Sequence, residues 1–100
     1  MIVEVEQEDI ARYPANCPNM ELTEDFKRHI FTLDDVFLFD MKLHYSGGGA
    51  TNFNAILIHL IGKADQSNMR RLSYGYPSEV LAMWLCRNDM KYYDKIIKEL

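Results

Sequence analysis

The chain has 100 residues, of which 48% are hydrophobic and 26% charged, with a formal net charge of −4. This length supports one domain with a single core, and the composition excludes a disordered tail, a collagen-like repeat and a disulfide scaffold. The charge keeps the chain soluble and predicts no general affinity for nucleic acid.

Residues 2–6 (IVEVE) are β-branched and alternate in part, which predicts a short strand whose partner is not evident. The first twenty residues otherwise read as an irregular N-terminal segment, and 21–100 as the helical core of one domain spanning 1–100. Two prolines and two asparagines make 11–20 a loop. Thr23, followed by Glu24 and Asp25, opens a predicted helix running to about Ile30. Thr32 is the expected cap of the next helix, with an acid three residues on. The stretch that follows is ambiguous. Phe39, Met41, Leu43 and Tyr45 alternate as in a strand, whereas Leu33, Phe37, Met41 and His44 keep helical spacing. The cap and the length favour helix. Ser46 and the three glycines 47–49 end that element, and Thr51 or Asn52 caps its successor.

Phe53, Ile56, Leu57, Leu60 and Ile61 fall at i, i+3, i+4, i+7 and i+8, which predicts one apolar helical stripe facing the core. Asp65 caps a short helix that Gly75 stops. Pro77 suits a first helical position, with Val80, Leu81, Trp84 and Leu85 as the buried face. Asn88 or Asp89 caps a last helix whose apolar repeat is Met90, Tyr93, Ile97 and Leu100. The expectation is a mostly α fold: a compact bundle of four to six short helices, with a short N-terminal strand or hairpin.

No motif commits the chain to catalysis. The segment SGGGATN lacks the lysine of a phosphate-binding loop, so an interhelix turn is favoured. Asp40, His44 and His59 lack metal-ligand spacing, and neither Cys17 nor Cys86 has a CxxC partner. Cys86 reads as a buried thiol and Cys17 as a loop residue; a disulfide between them is permitted, though nothing else suggests secretion. No catalytic residue, cofactor or metal is therefore expected. The acidic N-terminus is unlike a signal peptide, and no apolar run spans a membrane, so the cytoplasm is the default compartment.

Charge is unevenly distributed. Residues 1–50 hold ten acids against four bases, a balance of −6, and residues 51–100 hold seven bases against five acids, a balance of +2. Attraction between the two halves within the fold accounts for this asymmetry most simply. An acidic surface carrying Glu21, Glu24, Asp25, Asp34 and Asp35 would alternatively dock a partner protein, by electrostatic steering or by imitating a phosphate backbone. Lys63, Arg70 and Arg71 with Tyr74 form a local basic and aromatic cluster, the alternative being a small nucleic-acid-binding module. The opposed halves and the apolar C-terminal helix also permit a homodimer.

From Phe53 the chain reads FNAILIHLIGKADQSNMRRLSYGYPSEVLAMW. An apolar helix closes with Lys63-Ala64-Asp65, Asn68 and Leu72 follow, and Tyr76-Pro77, Glu79 and Val80 start the next helix. Residues 53–84 thus resemble a pattern in small helical accessory proteins of tailed phages and prophages. The resemblance implies a shared helical core and offers no catalytic residues. It implies a phage protein of host takeover, such as an inhibitor of a host factor or of a defence system of the CRISPR type (an anti-CRISPR), working in the host cytoplasm.

Overall fold

The computed structural model describes residues 1–10, 12–13, 28–47 and 52–98, of which Gln7 and residues 28–30 are described by their backbone alone. Strand β1 (Ile2–Glu6) leads into one helical turn, α1 (Gln7–Ile10). The partner of β1 is β2 (Arg28–Thr32), antiparallel, with Val3 opposite Phe31 and Ile2 opposite Thr32. Val3 and Val5 point inward and are buried, while Ile2, Glu4 and Glu6 face outward. That alternation is the period-two signature of a half-buried strand. The expected helix to about Ile30 is therefore corrected at its end: residues 28–32 are strand. Pairing with β1 satisfies backbone groups on both segments and buries Phe31, which outweighs the local cap signal. The start of that expected helix lies outside the described residues.

Thr32 does not cap α2 (Asp35–Tyr45), because it still belongs to the strand. Asp34 is the cap; its carboxylate accepts from the backbone N–H of Val36 at 2.8 Å and of Phe37 at 3.2 Å. The shift of two residues leaves Leu33 and Leu38 at staple positions, both buried. The helical reading of this stretch holds, with Phe37 and Met41 in the core. Gly47, at φ +85°, takes the left-handed conformation just past the helix, where a Cβ would be strained.

Asn52 caps α3 (Phe53–Lys63), its side-chain oxygen accepting from Ala55 N–H at 2.8 Å. Asp65 caps α4 (Gln66–Gly75) in the same way through Asn68 N–H. Pro77 opens α5 (Pro77–Asn88), and Asp89 caps α6 (Met90–Tyr93), which continues as a π-helical segment, Asp94–Lys98. The fold is thus mostly helical, with a two-stranded antiparallel ribbon at its N-terminal end.

Helix α5 forms the centre of the core. Val80, Leu81, Ala82 and Leu85 have no exposed surface, and Trp84 is half-buried with the Tyr13 ring edge-on at 5.3 Å. Around α5 lie Val3, Val5 and Phe31 of the ribbon, Met41 of α2, and Leu57 and Ile58 of α3. The C-terminal repeat is corrected by one position. Tyr92 and Ile96 are the buried pair, whereas Met90 is exposed, Tyr93 and Ile97 are half-buried, and Leu100 lies outside the described residues. Tyr92 wins the inward place because its hydroxyl finds two polar partners there, Asp9 and Glu6 N–H.

Candidate interaction surface

The stripe on α3 divides between core and surface. Leu57, Ile58 and Ile61 are buried, but Phe53, Ile56 and Leu60 are 65%, 62% and 53% exposed. These three stand at i, i+3 and i+7, one line along the outer side of the helix. The expectation that the whole stripe is core is corrected. The sequence signal was present in Ile56, Leu57, Ile58, Leu60 and Ile61: apolar residues cover too wide an arc for one buried face.

The exposed line runs into a groove between α3 and α4. Leu60, Lys63 and Ala64 form one wall and Asn68, Arg71 and Leu72 the other, around a volume of about 280 Å³. The Ala64–Asp65 junction separates the two helices, and Asp65 starts α4 by capping, so Asn68, Arg71 and Leu72 share one face opposite Leu60. At the other end of the line the Phe53 ring lies against Tyr76, centroids 6.2 Å apart.

Charge at this site comes from the basic cluster read in the sequence. Lys63 and Arg71 line the groove, while Arg70 and Tyr74 occupy a neighbouring exposed face of α4. None of the three cations forms an ion pair among the described residues. Asp65, the nearest carboxylate in sequence, already accepts the Asn68 N–H. The groove is thus lined by Leu60, Ala64 and Leu72 together with two cations that have no ion pair among the described residues.

The acidic candidates have different surroundings. Asp34 is occupied as a cap. Asp35 is exposed and lies 3.4 Å from the Met1 ammonium. Glu21, Glu24 and Asp25 lie outside the described residues, as do Cys17 and Gly48–Thr51 of the glycine-rich turn.

Other polar groups hold the fold together. The buried Asp9 carboxylate accepts from Tyr92 Oη at 2.6 Å, from Lys91 Nζ at 2.8 Å and from Arg12 at 2.9 Å, and Arg12 also reaches Asp89. Burial alone would raise the pKa of Asp9, but hydrogen bonds from Lys91 and Tyr92, with Arg12, hold it below the usual carboxylate range. Burial and the bond to Asp9 push the Tyr92 phenol up to about 12. This cluster ties α1 to the C-terminal helix. Asp40 is 4% exposed; one of its oxygens meets Asn52 Nδ2 at 3.4 Å and the other has no partner among the described residues. The His44 and His59 rings meet edge-on, centroids 5.9 Å apart, but no group of three metal-ligating side chains assembles among the described residues. Cys86 is free and buried, and burial pushes its thiol up to about 12, so it is not a thiolate at neutral pH.

Comparisons with protein-family models, curated proteins and solved structures return no match. Among the described residues no helix is long and apolar enough to cross a membrane.

Proposed function

We propose that this chain is a non-enzymatic interaction protein that docks another protein on its α3–α4 face. The observation that carries this reading is the exposed line Phe53, Ile56 and Leu60 running into the groove at Leu72. Scattered surface hydrophobes are ordinary, but a contiguous apolar line with a polar rim is what a partner covers. The resemblance of residues 53–84 to phage accessory proteins supports a host or defence-system protein as that partner, inhibited by occlusion.

The test is affinity capture from bacterial lysate with the native chain and with Ile56→Asp/Leu60→Asp. Both positions are largely exposed, so the variant keeps its thermal stability. The expected result is a partner held by the native chain and lost by the variant. Equal capture of the same proteins by both chains overturns the reading. A second reading is nucleic-acid binding, favoured by the exposure of Arg70, Arg71 and Tyr74. It requires a salt-sensitive mobility shift that Arg70→Ala/Arg71→Ala abolishes.

A further inference from the structure

The chemistry of the groove restricts what can occupy it. Its apolar lining is aliphatic, Leu60, Ala64 and Leu72, and the residues lining it include no ring for a base to stack on. Its volume of about 280 Å³ is open to solvent, which leaves room for anchoring side chains of a larger partner. The line from Phe53 to Lys63 is about 15 Å long at 1.5 Å rise per residue, close to three turns of a partner helix. None of the residues lining the groove is acidic, and both of its cations lack ion pairs among the described residues. Two copies of this face would therefore bring Lys63 and Arg71 together with no counter-charge from the groove, which disfavours self-pairing through it.

Given the docking reading above, on which this inference rests, we propose that the α3–α4 groove takes an acidic amphipathic helix of the partner protein. Apolar side chains at i, i+3 or i+4, and i+7 of that helix pack along Ile56, Leu60 and Leu72. Carboxylates on its flanks meet Lys63 and Arg71. This is helix-in-groove recognition with charge setting specificity and register.

The experiment is a displayed library of short helical peptides. Apolar residues are fixed at i, i+3, i+4 and i+7, and the other positions are drawn from Asp, Glu, Lys, Arg, Ser and Ala. Selection is on the native chain, with Leu60→Asp as the counter-selection. The expected pool is net acidic. Its members bind roughly tenfold or more weakly to Lys63→Glu/Arg71→Glu, and exchanging their acids for lysines restores binding to that variant. A pool that depends on Leu60 but shows no acidic bias overturns this proposal and leaves the docking reading standing. No enrichment over Leu60→Asp overturns both. Two further results also overturn the acidic-helix proposal. One is salt-sensitive binding of a single-stranded DNA oligonucleotide, lost in Lys63→Glu/Arg71→Glu, with no peptide enriched. The other is concentration-dependent self-association that Leu60→Asp abolishes.

Discussion

Tyr92→Phe removes one oxygen and two hydrogen bonds from the contact between the two ends of the chain. The hydroxyl donates to the Asp9 carboxylate at 2.6 Å and accepts from Glu6 N–H at 3.1 Å. A hydrogen bond to a charged group contributes about 1.5–3 kcal/mol and a neutral one about 0.5–1.5. Asp9 keeps Lys91 and Arg12, so its charge stays paired and the loss falls in the lower half of the sum, about 2–3 kcal/mol. In a domain of this size that lowers Tm by roughly 10–20 °C, read by circular dichroism at neutral pH. The pH profile supplies a second readout. The folded-state phenol is raised to about 12, above its unfolded value near 10. Its contribution is therefore complete below pH 10 and is lost as pH rises towards 12. The gap in stability between native chain and variant narrows across that window. A variant within about 2 °C of the native chain, or a gap unchanged between pH 9 and 12, refutes the assignment of Tyr92 as the buried tie.

Asp34→Ala removes the α2 cap and costs about 1 kcal/mol, whereas Thr32→Ala changes stability by less than about 0.5 kcal/mol; urea titration distinguishes the two positions. The Cys86 thiol reacts with a disulfide reagent in the native state far more slowly than in urea, because it is buried and protonated; equal rates would place it at the surface. Gly47→Ala meets no neighbouring atom but forces an L-residue to φ +85°, at a cost of about 1 kcal/mol by thermal denaturation.

The helices from Asn52 onward were legible because each start has a local mechanism: Asn52, Asp65 and Asp89 cap with their side chains, and Pro77 fits the first turn. Residues 28–32 were not, because their strand depends on β1, more than twenty residues away. Acids after a threonine are a genuine helix-start signal, but such a signal is worth only about 1 kcal/mol. Pairing a whole strand and burying Phe31 exceeds that. The same competition displaced the α2 cap from Thr32 to Asp34: once 28–32 is strand, the helix starts only after the chain has turned inward at Leu33. The Asp9–Tyr92 bond, spanning 83 residues, left no mark in either local segment.

The candidate site shows a different limit. Helical periodicity states which residues share a face, not which face meets the core. On α3 two apolar lines lie side by side, and burial took Leu57, Ile58 and Ile61 and left Phe53, Ile56 and Leu60 outside. What selects between them is the rest of the core. Helix α5 already presents Val80, Leu81, Ala82 and Leu85, and one side of an eleven-residue helix suffices to cover its share of them. The excess apolar line then faces solvent beside Lys63 and Arg71, which the sequence grouped as a basic cluster without its hydrophobic neighbours. A basic cluster alone points towards phosphate. The same cations beside Leu60, Ala64 and Leu72 are what the proposed acidic helix would meet, and that proposal rests on where α3 put its surplus leucine and isoleucine.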